Sequence, residues 1–211
     1  AIVRELSSLT NVHGRPYQII RIDTPPYWWD FMPAYTNSLI LNRKVLVPLY
    51  GIPADRDALE TWRKAMPGYQ VIGFEHHGSW YERWMSFDAL HCRVRAIRDP
   101  EMLYMAHKRV AGTVAPAEVH PIEVEIRDYS GAGLIREALE LSWRLDGERS
   151  WRVIRLEATA DPKIFVGSIP GASAGQRVDY FLSASDHSGR RESLPRTAPD
   201  GYYSFGVVSE N

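Results

Sequence analysis

Ser38-Leu39-Ile40-Leu41-Asn42-Arg43-Lys44-Val45-Leu46-Val47-Pro48-Leu49 is the stretch from which the first part of the chain is read. Residues 38–41 and 44–49 are apolar runs of strand length, and Asn42-Arg43 is the tight turn between them. A helix follows. Ala58, Leu59, Trp62, Ala65 and Met66 recur on one stripe. Asp55 and Asp57 stand near its N-terminal end, where the helix dipole favours negative charge. Pro67-Gly68 stops the helix, and residues 69–74 form the next strand. The order strand, strand, helix, strand therefore runs from 38 to 74.

Upstream, Ile2, Val3, Leu6 and Leu9 recur at helical spacing, so residues 1–9 read as the tail of a helix. Residues 11–14 make a turn, and the β-branched content of 16–22 predicts a strand. Residues 24–36 hold three prolines and five aromatics, Tyr27, Trp28, Trp29, Phe31 and Tyr35. Proline bars both regular helix and central strand, so this is a loop. Its rings either pack onto a core or line a pocket.

Downstream, His76-His77-Gly78-Ser79-Trp80 opens another loop. Two adjacent histidines without further ligands at suitable spacing are weak evidence for metal. Residues 88–98 and 102–106 read as two more strands. Residues 110–118, rich in Ala, Gly, Thr and Pro, read as a linker. Beyond it, short alternating strands at 122–126, 139–145, 151–156 and 178–184 are separated by turns. Asp128-Tyr129-Ser130-Gly131, Asp146-Gly147, Pro170-Gly171 and Asp186-His187-Ser188-Gly189 mark those turns. That pattern predicts a β-sandwich. Tyr180 lies early in a late strand, where sandwiches place a corner tyrosine that hydrogen-bonds upstream backbone.

Cys92 is the single cysteine of 211 residues and lies in Asp88-Ala89-Leu90-His91-Cys92-Arg93. A thiol attacks as thiolate, which requires an open, electropositive site or a neighbouring base. His91 is a poor base for it, because adjacent residues on a strand face opposite ways. Free cysteine is also among the most buried residue types, so the residues alone leave nucleophile and inert thiol both standing. One cysteine excludes an internal disulfide framework. Lys+Arg 25 against Asp+Glu 26 leaves no basic stripe for nucleic acid, and no apolar run reaches the length of a membrane span. The start, Ala1-Ile2-Val3-Arg4, has neither a signal-peptide pattern nor an initiator Met, so a processed or truncated piece is expected.

Three segments together carry a resemblance. They are Pro33-Ala34-Tyr35-Thr36-Asn37-Ser38-Leu39-Ile40-Leu41-Asn42, then Ala65-Met66-Pro67-Gly68-Tyr69-Gln70-Val71-Ile72-Gly73, then Asp88-Ala89-Leu90-His91-Cys92-Arg93. In that order the chain resembles the C-terminal part of a bacterial, porphyromonad-type peptidylarginine deiminase of the agmatine deiminase superfamily. The resemblance implies an α+β chain. Residues 1–114 would be the end of a partial α/β propeller (the pentein, or guanidine-modifying, fold), built of ββαβ units. Residues 115–211 would be an immunoglobulin-like β-sandwich serving as an accessory module.

The resemblance also implies a chemistry, a hydrolase converting peptidyl arginine to citrulline and ammonia. Cys92 would be the nucleophile that forms a thiouronium intermediate, and Asn37 the active-site asparagine. Two Asp side chains would hold the guanidinium, and a His of a His-x-Asp motif would protonate the leaving ammonia. His91 would then be a neighbouring structural residue, and Asp88 a structural one. None of the chain's histidines (13, 76, 77, 91, 107, 120 and 187) has Asp two residues on. The N-terminal half of the same precursor, as a second polypeptide, is therefore expected to complete the fold. Other readings are an enzyme for agmatine or another small guanidine, and a non-catalytic binding module. No cofactor is expected. Calcium use is left open, since the sequence holds no EF-hand loop. The resemblance implies a secreted or periplasmic protein.

Overall fold

The computed structural model describes residues 2–10, 16–26, 32–76, 84–97, 99–110 and 112–208. They are mostly β with few helices, an α+β composition, and no described sheet closes into a barrel. No described helix is long and apolar enough to cross a membrane. The chain divides into two units, Ala1–Ile97 and Arg98–Asn211.

The first unit comprises α1 (Ile2–Ser8), β1 (Leu39–Leu41), β2 (Lys44–Leu49), α2 (Ala54–Ala65) and β3 (Gln70–Glu75). Its sheet has the order β1-β2-β3, with β1 antiparallel and β3 parallel to β2. The hairpin turn works because Asn42 takes the left-handed conformation, φ 53°, which asparagine tolerates better than most residues. Parallel β2 and β3 need a crossover, and α2 supplies it. The helix stops where expected: Met66 N–H bonds to Trp62 O and Gly68 is left-handed. Tyr35, Val45, Val47 and Ala58 form the buried centre, with Leu59, Trp62, Met66 and Val71 packed against it. Helix α1 forms as expected but buries none of its residues.

Two expected strands of this unit are absent. Residues 16–22 pair only through a Thr10–Pro16 bridge. Their β-branched side chains favour extension, but among the described residues no neighbouring strand takes up their backbone groups. Residues 88–97, the described part of the expected strand 88–98, do not run as a strand either. Ala89 and Leu90 are both buried, and the chain then tightens into a 3-10 turn at His91–Arg93.

The second unit holds β4 (Leu103–Ala106), β5 (Thr113–Val114), β6 (Val119–Asp128), β7 (Glu140–Leu145), β8 (Arg152–Arg155), β9 (Glu157–Ala158), β10 (Ile164–Pro170), β11 (Arg177–Ser185), β12 (Arg191–Leu194) and β13 (Tyr203–Val207). One sheet has the order β4-β6-β10-β9; the other runs β5-β13-β11-β7-β8, with β12 also on β11. The division between units falls earlier than the expected 114/115. Strand β4 pairs with β6 and β5 with β13, so the hydrogen bonds of residues 103–114 belong to the second unit.

Alternation decides which faces meet. Along β6, Ile122, Val124 and Ile126 are buried while Glu123 faces outward. Phe165 and Ile169 of β10 join them against Leu141, Val178, Tyr180, Leu182 and Phe205 of the other sheet in one core. The turns are tied by their own aspartates. Asp128 accepts from Ser130 N–H and Gly133 N–H, and Asp186 accepts from Ser188 N–H and Arg190 N–H.

Tyr180 does meet upstream backbone: its hydroxyl accepts from Val110 N–H at 2.9 Å. His107 contacts the same hydroxyl through Nε2 at 2.8 Å and Glu123 O through Nδ1 at 2.6 Å. A carbonyl only accepts, so Nδ1 carries the proton in the contact with Glu123 O.

A close approach fixes one residue of this unit. Gly171 N–H donates to Glu118 O at 2.7 Å, and a Cβ at 171 would collide with the carbonyl oxygen of Ala117. Backbone cannot swing aside as a side chain can. Gly171→Ala should destabilise the second unit by about 1–3 kcal/mol, read as a lowered midpoint in thermal unfolding followed by circular dichroism.

Candidate functional site

The loop of residues 34–38 is held at every residue but Thr36 by a bond to the rest of the first unit or within itself. Ala34 N–H donates to the Tyr50 hydroxyl at 2.8 Å. Asn37 N–H closes the turn on Ala34 O at 2.8 Å. Tyr35 O accepts from Ser38 Oγ at 2.7 Å and from Trp62 Nε1 at 3.0 Å. The Tyr35 ring is wholly buried, and its hydroxyl donates to Asp55 Oδ1 at 2.6 Å.

Asp55 is itself buried and receives three backbone N–H groups besides. Tyr50 N–H lies 3.1 Å from both oxygens, and Gly51 and Ile52 N–H reach Oδ2 at 2.7 and 3.0 Å. The chain curls around the carboxylate because Gly51 is left-handed, φ 72°. Burial, and then the hydrogen bond to Asp55, push the Tyr35 phenol above its ordinary range. Burial pushes Tyr50 up to about 12, against the bond from Ala34 N–H. Both phenols therefore stay neutral at working pH, and Tyr35 stays a donor.

This anchored loop presents Asn37. Its Oδ1 accepts from Cys92 N–H at 3.2 Å, and its Nδ2 lies 2.9 Å from Cys92 Sγ. Its backbone carbonyl accepts from His91 N–H at 3.1 Å. A backbone N–H can only donate, so the amide orientation is fixed and the sulfur faces the NH2 end. The thiol is exposed and lies 3.8 Å from Phe87 O. The structure thus brings together the two residues singled out from the sequence. In a 3-10 turn successive side chains are a third of a turn apart, so the opposite-face alternation expected of His91 and Cys92 does not apply, the strand expected there being absent.

The rim of the turn is charged and aromatic. Arg93 Nε and NH2 each lie 3.1 Å from Asp88 Oδ2, and the Arg93 guanidinium lies 5.1 Å from the Trp84 ring centre. Trp84 Nε1 is anchored on Phe74 O at 2.9 Å, with His76 edge-on to its ring. Among the described residues no group of three or more His, Cys, Asp or Glu is arranged to hold a metal ion. His77 and aromatics 27–31 lie outside the described residues. Sequence reasoning missed the Tyr35–Asp55–Tyr50 knot. Asp55 carried the ordinary signal of an acid at a helix start, and Tyr35 was one aromatic among many.

The arrangement can hold a sulfur nucleophile, orient it with a neutral amide donor and expose it to a substrate. It cannot deprotonate the thiol, because an amide is no base.

Residues 1–83 match the family model described as Porphyromonas-type peptidyl-arginine deiminase. The match, over less than half of the chain, is consistent with a C-terminal part of such a protein and, at the level of the family, with a guanidino-group hydrolase acting on an arginine-containing substrate. Asn37 lies inside the matched segment and Cys92 beyond it. The chain is also similar to the crystal structure of CopC from Methylosinus trichosporium OB3b. That similarity has 14% identity and a TM-score of 0.34, covering 52% of this chain and 98% of that one.

The tyrosine knot has a pH signature. Folded Tyr50 binds its proton more tightly than unfolded Tyr50. Its contribution is therefore complete below pH 10.0 and is lost as pH rises from 10.0 to about 12. The midpoint of the first unit, followed by near-ultraviolet circular dichroism, should fall across that window. Tyr50→Phe should show a shallower fall there than the wild type.

Proposed function

We propose that the first unit carries the nucleophile of a protein-arginine deiminase-like hydrolase, with Cys92 attacking and Asn37 orienting. The observation that carries this reading is the double contact of Asn37 with both the N–H and the sulfur of Cys92. It joins the family match over residues 1–83 to the turn that follows.

The thiolate sulfur adds to the guanidinium Cζ, forming a C–S bond. A C–N bond then breaks, and ammonia leaves with a proton from a general acid. The resulting thiouronium is attacked by water, the C–S bond breaks and the thiol is restored. The balance is arginine plus water to citrulline plus ammonia. In this reading the Asn37 amide fixes the line of approach of the sulfur, which is worth a large factor when the reacting atoms are about 3 Å apart.

The guanidinium is always cationic, so the same reading requires carboxylates around it and an imidazole beyond it. We assign these to the N-terminal part of the same precursor, as a second polypeptide. The edge strands β1 and β3 and the exposed Ile40, Leu41 and Phe74 support such a partner, because open edges and apolar side chains are surfaces a neighbour covers. The β1-β2-α2-β3 unit would be one blade of a pentein propeller. The second unit would be an immunoglobulin-like accessory module, and the whole a secreted or periplasmic enzyme without a cofactor.

The protein as isolated, with any polypeptide that accompanies it, is to be incubated with a peptide ending in arginine and separately with agmatine. Citrulline formation in the peptide is expected, detected by mass spectrometry. Cys92→Ala should abolish it, and Asn37→Ala should lower kcat on the order of 100-fold. Full activity in Cys92→Ala would remove the assignment. Turnover of agmatine alone would keep the chemistry and change the substrate class.

A further inference from the structure

We infer that Tyr35 is a positioning residue for Cys92, acting through Asn37 by its hydroxyl bond to Asp55. The inference rests on the reading of Cys92 and Asn37 just given. Tyr35 and Asn37 lie in one turn, closed by Asn37 N–H on Ala34 O. Packing alone does not require the hydroxyl, since phenylalanine fills the same buried volume. The oxygen serves to reach Asp55, at 2.6 Å.

Asp55 is a fixed post. Three backbone N–H groups of the β2–α2 corner already hold it, and its place in the first turn of α2 leaves it little freedom. The other end of the turn is tied to that corner as well, through Ala34 N–H and the Tyr50 hydroxyl. The direction in which the Asn37 amide points therefore depends on two phenols bonded at one corner. A hydrogen bond to a charged acceptor is short and strongly directional. The upward push on the Tyr35 phenol keeps its proton in place at any working pH. Losing that bond removes the tie of the turn to Asp55 and lets the turn shift on its remaining bonds, and with it the donor facing the sulfur. A displacement of about 1 Å at a reacting pair can cost on the order of 100-fold in rate.

The test uses the full chain and two independent readouts, the rate of Cys92 alkylation by iodoacetamide and the kinetics of citrulline formation. Tyr35→Phe should shift the alkylation rate in the same direction as Asn37→Ala. It should lower kcat roughly 10-fold with little change in KM. The double variant Tyr35→Phe/Asn37→Ala should alkylate like Asn37→Ala alone, since residues acting through one path are not additive. Leu182→Ala, a core truncation in β11 of the second unit, should lower the unfolding midpoint and leave the alkylation rate at the wild-type value.

Asp55→Asn provides a second variant of similar shape, expected to shift alkylation in the same direction as Tyr35→Phe. A wild-type alkylation rate in Tyr35→Phe, or an effect that adds fully to that of Asn37→Ala, overturns the inference. A wild-type protein that forms no citrulline would defeat the deiminase reading alone, and the alkylation arms would still decide the role of Tyr35.

Discussion

The amide of Asn37 has one acceptor and one donor end, and Cys92 occupies both. The backbone N–H takes Oδ1, so Nδ2 has no freedom to face anything but the sulfur. That constraint accounts for the local chain path. His91 N–H goes to Asn37 O and Cys92 N–H to Asn37 Oδ1, so these two donors are used up by one residue. A strand at this point would need them for a neighbouring strand. The chain instead tightens into a 3-10 turn, and the sulfur is left exposed on its outer side. Asn37, through its backbone carbonyl and its amide, is thus the distant residue that holds the turn and faces the thiol.

That side chain is only as well placed as the loop beneath it, and the loop is anchored on a buried charge. Burying a carboxylate is costly unless hydrogen bonds replace its hydration. Asp55 meets that requirement with one phenol and three backbone N–H groups, so it is compensated by geometry. The second unit solves the same problem differently. Asp179, also buried, is met by the Ser204 hydroxyl and by Arg144 at 3.5 Å. The Arg144 guanidinium lies 4.2 Å from the Trp151 ring centre and 4.9 Å from that of Tyr202. Cations on long side chains, Arg144 and also Arg177 at 4.0 Å, tolerate movement. Four converging dipoles do not, and the rigid solution stands under the loop that carries Asn37.

Much of this was legible from residue types. The strand, strand, helix, strand order from 38 to 74 was readable because hydrophobic period, a left-handed turn at Asn42 and the Pro67-Gly68 stop all agree locally. The alternation of β6 and β11 revealed a two-sheet unit for the same reason. The failures are equally physical. Residues 16–22 have strand propensity but, among the described residues, pair only at the Thr10–Pro16 bridge, and the N–H groups of His91 and Cys92 are drawn away by a residue far off in sequence. The domain edge was misplaced because a linker composition rich in Gly and Pro conceals that β5 pairs with β13. At the site, Asn37 and Cys92 were legible only as members of motifs. Their mutual contact, and the Asp55 corner under it, are long-range facts that no local pattern encodes.

The electrostatics of the turn also bear on how a substrate would be received. Cys92 is approached by a neutral amide, whereas the acid of its own turn, Asp88, is matched by Arg93. Arg93 is further steadied by the Trp84 ring. Under the proposed reading, an incoming guanidinium would find its sulfur in a neighbourhood already balanced in charge. Such a neighbourhood does not attract a cation by itself, nor does it repel the carboxylates that another surface would bring. Separating the nucleophile from the charged clamp has a physical advantage. Carboxylates crowded against a thiol disfavour the thiolate, so a site that must bind a cation and attack it with sulfur works best when the two tasks sit on opposing walls.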